Sequence, residues 1–391
     1  MSNLITIQAQ QTKDLNDINK KLISLIGSNE NVLNLNLGNE VQSYIIIDKT
    51  KNCYLDQIKD LHWQPIVKKK FKKVFLFTGQ GSQYINMGKN LFTNNPIFNK
   101  YMNVAVNEIN KHIDINLFDI IFPINNECTN INQTQYTQPA LFAIEYALAQ
   151  TWITARIKPD IVMGHSVGEF AAATIAGSLN IETGAALISN RARLMQNLPQ
   201  GGSMVALMTN QENAQEIINK VKTKNNVLNI AAINTPKQTV ISGDKASLAE
   251  CIKLAKSKKI KARELVVSHA FHSDLMQPAI DEFYLIASRY EMKKPEISLI
   301  SNLSGEIMDI APNAKYWCEH ILNPVNFLKS INSCPIENTI FIEIGPNPIL
   351  INMAKKCLPV DGNYHSLLSI DQKQENEAYT LLNNIGICKT A

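Results

Sequence analysis

The chain has no C-x-x-C pair among its seven cysteines (Cys53, Cys128, Cys251, Cys318, Cys334, Cys357, Cys388), which are odd in number and scattered. That pattern indicates neither a disulfide framework nor a zinc site, so no metal is expected and a reducing cytoplasm is the expected setting. No apolar run approaches the roughly 18 residues of a membrane span. The start, Met1 to Asp14, has neither the charged head nor the apolar middle of a signal peptide, so no membrane association is expected. An excess of one charge is missing too: 38 Lys and Arg stand against 34 Asp and Glu, a net +4. So close a balance argues against nucleic acid as a partner and leaves only local basic patches. Two are visible: Lys68, Lys69, Lys70, Lys72 and Lys73, and Lys256, Lys258, Lys259, Lys261 and Arg263. Both read as solvated faces, with docking of an acidic protein as the alternative. Internal repeats and low-complexity segments are absent.

What is present is an ordinary globular composition, 391 residues with 45% hydrophobic content, enough for one large core and a satellite. Residues 1–66 read as a small α/β unit, with an extended start (Leu4 to Gln8), an amphipathic helix (Leu15 to Ile26) and a β-rich run (Tyr44 to Ile47). A buried strand, Val74 to Phe77, then ends at the turn Gly79-Gln80-Gly81-Ser82-Gln83 and opens the main domain. A helical region from Thr137 to Arg156 follows, with Pro139 near its start, where a missing N–H costs little. The short strand Asp160 to Met163 runs into Gly164-His165-Ser166-Val167-Gly168-Glu169 and an Ala-rich helix. Between Met204 and Val267 the periodicity predicts strand (Met204 to Leu207), helix (Gln211 to Val221), strand (Val227 to Ile233), strand (Gln238 to Gly243), helix (Lys245 to Ala255) and strand (Ala262 to Val267). That β-α-β-β-α-β order is the ferredoxin-like arrangement, inserted in the main domain, which resumes at Ser268. Further strands are expected at Ile297 to Ile300 and at Thr339 to Ile344, the latter ending at the turn Gly345-Pro346-Asn347-Pro348.

Gly164-His165-Ser166-Val167-Gly168 between a strand and a helix fits a nucleophile elbow, in which small flanking residues permit a sharp turn that exposes the serine hydroxyl. A tight turn with a buried serine is the competing reading of that motif alone. The following helix N-terminus offers N–H groups to a developing oxyanion. A serine needs a base, and His269 and His272 sit where the chain re-enters the main domain. His165 adjoins the nucleophile but points away in a tight turn, which makes it a pocket-lining group. His62, His112, His320 and His365 have no motif around them and read as surface or packing histidines. Gln138 and Asn234 are candidates for pocket hydrogen bonds and equally for capping local backbone. The turn at Gly79 lacks the Lys-Ser/Thr ending of a P-loop, which argues against phosphate binding.

Taken together, Gly79-Gln80-Gly81-Ser82-Gln83, Thr137-Gln138-Pro139-Ala140, Gly164-His165-Ser166-Val167-Gly168-Glu169, Arg191 in Arg191-Ala192-Arg193-Leu194-Met195-Gln196, His269-Ala270-Phe271-His272-Ser273, Asn323-Pro324-Val325 and Glu343-Ile344-Gly345-Pro346 resemble, in the same order, the motifs of the malonyl-CoA:acyl carrier protein transacylases and of the acyltransferase domains of polyketide synthases. The likeness covers roughly residues 70–390. Residues 1–66 resemble the linker that precedes such domains in polyketide synthases.

The resemblance implies an α/β fold: an α/β-hydrolase-like large domain (67–203 and 268–391, with a C-terminal tail), an inserted ferredoxin-like small subdomain (204–267) and a small α/β linker-like domain (1–66). It implies a ping-pong transfer in which Ser166 attacks a malonyl thioester, His272 takes its proton, and backbone N–H groups of Gln80 and Val167 form the oxyanion hole. Arg191 would hold the free malonyl carboxylate through two parallel charge-assisted bonds. His165, Gln138, Asn234, His269 and Phe271 complete the expected substrate pocket, and the bulk of Phe271 favours plain malonyl over branched units. The expected donor is malonyl-CoA, the acceptor is the phosphopantetheine thiol of an acyl carrier protein, and no resident cofactor or metal is implied. Three alternatives stand beside this reading: a hydrolase that clears acyl groups from carriers, a transferase for 2-hydroxy- or 2-aminomalonyl units, and a non-catalytic carrier-docking module.

Overall fold

The computed structural model describes residues 2–9, 32–37, 41–48, 64–65, 71–124, 129–359, 366–370 and 377–390. Numbered along the chain, the strands are β1 (Ser2–Ala9), β2 (Val32–Leu37), β3 (Val41–Asp48), β4 (Gln64–Pro65), β5 (Lys72–Phe77), β6 (Ile161–Gly164), β7 (Gly202–Leu207), β8 (Leu228–Thr235), β9 (Gln238–Asp244), β10 (Ala262–Glu264), β11 (Ser298–Ile300), β12 (Thr339–Ile344) and β13 (Ser366–Leu368). The helices around them include α1 (Thr134–Thr154), α2 (Gly168–Ile175), α3 (Ile181–Gln196), α4 (Gln211–Val221), α5 (Lys245–Ser257), α6 (Ala314–Leu322), α7 (Ile349–Cys357) and α8 (Glu377–Thr390).

The largest sheet runs β11-β6-β5-β12-β13 with every neighbouring pair parallel. Its strands have the composition such a sheet demands: β6 and β12 are buried at every position and β5 at its last four. A parallel sheet covered on both faces needs such continuous apolar runs. In chain order the arrangement is 3-2-1-4-5, and ligands of sheets wound this way sit beyond the carboxyl ends of the strands. Here β5 ends at Phe77, just before the Gly79 turn, and β6 ends at Gly164, two residues before Ser166.

Helix α1 is apolar around most of its circumference and is buried from Thr134 to Trp152 at all but a few positions, as expected for a helix inside a large core. It begins one turn earlier than the sequence predicts. Pro139 therefore lies inside the helix, not in its first turn, and the carbonyl of Gln135 loses its helical donor.

The second sheet, β10-β7-β9-β8, is antiparallel throughout and with α4 and α5 makes the β-α-β-β-α-β arrangement. Asn210 and Asp244 cap the two helices by accepting from the N–H groups of Asn213 (3.1 Å) and Ser247 (2.9 Å). The unit has its own apolar cluster around Val205, Leu207, Ile217, Ile241 and Leu248. Reciprocal bonds join it to the rest, Ile233 N–H to Val325 O and Val325 N–H to Ala231 O, both 2.9 Å. Strand β10 stops at Glu264, short of the predicted Val267. The side chain of Val266 is fully exposed, and the chain leaves the sheet there to deliver His269 and His272. Beside β10, Lys256, Lys259, Lys261 and Arg263 line a groove of about 700 Å³ over an apolar floor of Met208, Ile260 and Ala262.

The N-terminal strands form a third sheet, β2-β1-β3-β4, in which β1 is parallel to β2 and antiparallel to β3. The helix predicted at Leu15 to Ile26 lies outside the described residues. Helix α8, from the other end of the chain, packs on this sheet. Tyr44 Oη donates to Asn383 Oδ1 at 2.9 Å, and Gly386 lets the Tyr44 ring approach so closely that an added Cβ would lie 2.4 Å from it. No helix among the described residues is long and apolar enough to cross a membrane.

Candidate active site

The turn between β6 and α2 is built on two missing side chains. A Cβ added to Gly164 would lie 2.1 Å from the Glu169 nitrogen, and one added to Gly168 would lie 2.3 Å from the Phe77 carbonyl oxygen. Both positions must be glycine for strand and helix to close on each other. The result is a Ser166 with φ 51°, in the left-handed region, a strain of roughly 1–3 kcal/mol that surrounding contacts have to hold. A strained serine at a strand-to-helix turn is the geometry of a presented nucleophile.

His272 carries the same kind of backbone, φ 58°, at the point where the chain returns from the inserted unit. Its Nε2 lies 2.8 Å from Ser166 Oγ, and its Nδ1 lies 2.8 Å from the carbonyl oxygen of Asn323, just beyond the end of α6. A carbonyl can only accept, so Nδ1 carries the proton and Nε2 keeps its lone pair for the serine hydroxyl. Burial, and next the nearby positive Arg191, hold the imidazole well below its ordinary range, so it stays a neutral base at pH 7. The sign is definite: protonation, and with it loss of basicity, comes only below pH 6.5. Ser166 acylation is therefore expected to be level from neutrality down through pH 6.5 and to fall at more acid pH, as measured by stopped-flow or quenched acylation. A decline centred at or above pH 6.5 would contradict this environment.

Arg191, on α3, is 1% exposed. Nη1 donates to Gln138 Oε1 at 2.7 Å, Nη2 approaches Ser166 Oγ at 3.4 Å, and the guanidinium lies 5.6 Å from the centroid of the Phe170 ring. Nε has no partner, and no carboxylate pairs with the group among the described residues. Burial pushes Arg191 down to about 9, which leaves it charged at neutral pH. A buried cation without an anion is costly, and its position beside the Ser166 hydroxyl points to an anionic ligand. Arg193, two residues on, instead pairs at the surface with Glu282 at 2.8 Å.

The other predicted residues fall into two groups. Gln138 orients Arg191 and does not cap backbone. His165 Nε2 lies 2.9 Å from Asn234 Oδ1, and the His165 ring, neutral because burial lowers it, lines the wall beside Phe327. Gly79 sits so near His165 that an added Cβ would lie 2.8 Å from its carbonyl oxygen, which brings the Gln80 turn beside the elbow. The backbone N–H groups of Gln80 and Val167 donate to no hydrogen bond among the described residues. His269, by contrast, spends both ring nitrogens on the protein, Nδ1 with Ser268 Oγ at 2.8 Å and Nε2 with Leu198 O at 3.0 Å. It braces the loop that carries the base. Phe271 is buried next to it, with ring centroids 6.1 Å apart.

Several residues of this region carry no motif of their own. Asn302, just past β11, contacts the elbow backbone directly. Tyr316 and His320 reach Glu169 from α6. His320, read from sequence as a surface or packing histidine, is fully buried 3.5 Å from Glu169, its ring 6.3 Å from that of His272. Asn323 enters through its main-chain oxygen, which any residue could supply.

Residues 74–387 match the family described as acyl transferase domain. The chain is 37% identical over 290 residues to the mycoketide-CoA synthase of Mycobacterium tuberculosis, covering 74% of this chain and 7% of that protein. It is 35% identical over 308 residues to a phenolphthiocerol synthesis polyketide synthase of Mycobacterium marinum, covering 78% and 14% respectively. The chain thus spans a small fraction of the length of these relatives. Among solved structures it is similar to the acyltransferase domain from the second module of the salinomycin polyketide synthase, with TM-score 0.76, 28% identity, and coverage of 100% of this chain and 83% of that one. It is also similar to the malonyl CoA-acyl carrier protein transacylase from Clostridium perfringens, with TM-score 0.71, 27% identity, and coverage of 82% and 100%. A serine elbow with a neutral imidazole base, on a fold shared with these enzymes and across a match of this length, means that the chain belongs to the acyl transferase domain family.

Proposed function

We propose that the protein transfers a malonyl unit from coenzyme A, through an ester on Ser166, to the phosphopantetheine thiol of an acyl carrier protein. One observation carries the reading: a buried, carboxylate-free guanidinium within 3.4 Å of the nucleophilic hydroxyl. In the first half-reaction Ser166 Oγ attacks the thioester carbonyl and gives its proton to His272 Nε2. The oxyanion that forms meets the N–H groups of Gln80 and Val167, each donor of this kind being worth roughly 2.7–4 kcal/mol in measured cases. The C–S bond then breaks, and the departing sulfur takes the proton from His272. The carrier thiol repeats the sequence in reverse, losing its proton to Nε2 and leaving with the acyl group. Throughout, the free carboxylate of the three-carbon unit faces Arg191, which Gln138 holds in place. A hydrolase acting on acylated carriers would share Ser166 and His272 but has no use for a buried cation at this distance. The basic groove beside β10 supports an acidic carrier as the acceptor by charge complementarity.

Competition among malonyl, methylmalonyl and acetyl thioesters, read by intact-protein mass spectrometry, tests the substrate class. Malonyl adducts are expected to dominate. Methylmalonyl should follow at a disadvantage of about 10- to 200-fold, the range for one methylene in a packed pocket, and acetyl should be the poorest. Equal acetyl and malonyl labelling would remove the carboxylate reading.

A further inference from the structure

The strained turn at Ser166 needs a tether, and one residue supplies it from the turn that follows β11. Asn302 Oδ1 accepts from the Ser166 N–H at 2.7 Å, while Asn302 Nδ2 donates to the Gly164 carbonyl at 2.7 Å. The side-chain amide thus lies across the elbow as a neighbouring peptide would, satisfying one donor and one acceptor on either side of His165. Asn302 is itself fixed at every polar atom: its N–H donates to Glu169 Oε2 at 2.8 Å, and its carbonyl accepts from the Asn326 N–H at 2.9 Å. Glu169 is fully buried in the first turn of α2, and its other oxygen accepts from Tyr316 Oη on α6. Burial, and next the charge of Glu169, hold the Tyr316 phenol well above its usual range, so it stays a donor. Because that single proton goes to Glu169, the Ser301 hydroxyl must donate to Tyr316 Oη at 2.8 Å.

We propose that Asn302 is the positioning residue of the nucleophile, and that Glu169 and Tyr316 hold it in register. The proposal rests on Ser166 being the acyl-carrying residue and deepens that reading. It gives α6 a double role, since the same helix that anchors Glu169 through Tyr316 is followed by Asn323, whose carbonyl orients His272. Both halves of the Ser166–His272 pair are thereby referred to one helix. Asn302 touches neither Arg191 nor any other group expected to bind the acyl carboxylate, so its loss should misplace the hydroxyl without weakening substrate binding.

The test uses a fluorophosphonate probe, which reports on any activated serine and so does not depend on the malonyl assignment. Asn302→Ser is too short to span the elbow. It is expected to slow labelling of Ser166 on the order of 100-fold, the scale of a catalytic group moved by about 1 Å. With malonyl-CoA it should lower kcat while leaving KM within about twofold, a split that follows from the loss of positioning alone. Asn302→Asp keeps an oxygen for the Ser166 N–H and is expected to label faster than Asn302→Ser. Should the serine variant not fold, as judged by its thermal melt, Asn302→Leu fills the same volume and takes its place in the comparison. A folded Asn302 variant of either kind that labels at the wild-type rate overturns the proposal, whatever the outcome of the thioester competition.

Discussion

Ser166→Ala is expected to remove the covalent malonyl adduct completely and to lower carrier malonylation on the order of 10⁶-fold, the loss found when a comparable serine nucleophile is deleted. The expectation follows from how little else in the cavity could take its place. The hydroxyl is the group that His272 Nε2 faces at 2.8 Å, and His165 and His269 are hydrogen-bonded to Asn234, Ser268 and Leu198. Alanine keeps the left-handed backbone at φ 51° as strained as before, so melting temperature should change little. A mass shift of one malonyl unit persisting in this variant would falsify the mechanism. His272→Ala should leave a slower enzyme, by roughly 10²- to 10⁴-fold, since general-base help is lost while the nucleophile stays.

Arg191→Ala is expected to erode the preference of the pocket for malonyl over acetyl. In the proposed reaction the guanidinium would hold the acyl carboxylate by charged hydrogen bonds worth about 1.5–3 kcal/mol net, so their loss corresponds to a fall in malonyl transfer of roughly 10- to 150-fold. Acetyl transfer should rise relative to malonyl, because an acetyl ester leaves the buried guanidinium unpaired in the native pocket and the variant has none to leave. The same reasoning predicts no fall in thermal stability beyond that of a cavity, as the variant no longer desolvates an isolated cation. The measurement is the acetyl-to-malonyl ratio of acylated enzyme. A ratio that does not move would show that Arg191 serves only to brace Gln138.

Much of the molecule was legible because its signals are local. Short apolar runs that end in glycine turns marked β5, β6 and β12, and alternating strand and helix periods marked the inserted unit. Where the structure departs from the local pattern, a tertiary demand overrides it. Leu265 to Val267 continues the apolar alternation of β10, yet the chain has to swing away from the sheet to bring His272 to Ser166, and Val266 is left in solvent. Pro139 looks like a helix start but sits inside α1, where the surrounding core holds a turn that propensity alone disfavours. In the site, Ser166, His272 and Arg191 stood out because their chemistry is distinctive within their motifs. Asn302 did not. Its contact with the elbow depends on β11 lying beside β6, with Ile300 paired to Met163, a register that no short stretch of sequence announces. Tyr316 and His320 were hidden for the same reason, brought to Glu169 by the packing of α6 alone. His269 shows the reverse case: its motif suggests contact with substrate, while its hydrogen bonds serve the loop.

The union of β3 with α8 bears on any attempt to graft this acyltransferase domain into another protein. Leu381, Leu382 and Ile385 are buried, and the helix that carries them shares a tyrosine–asparagine bond with the opening strands. An exchange that cut before Lys72 and kept the tail would strip one apolar face of its cover, and one that kept the opening strands without the tail would do the same to the other. Donor segments are best excised with both ends together, so that the seam travels intact to its new host.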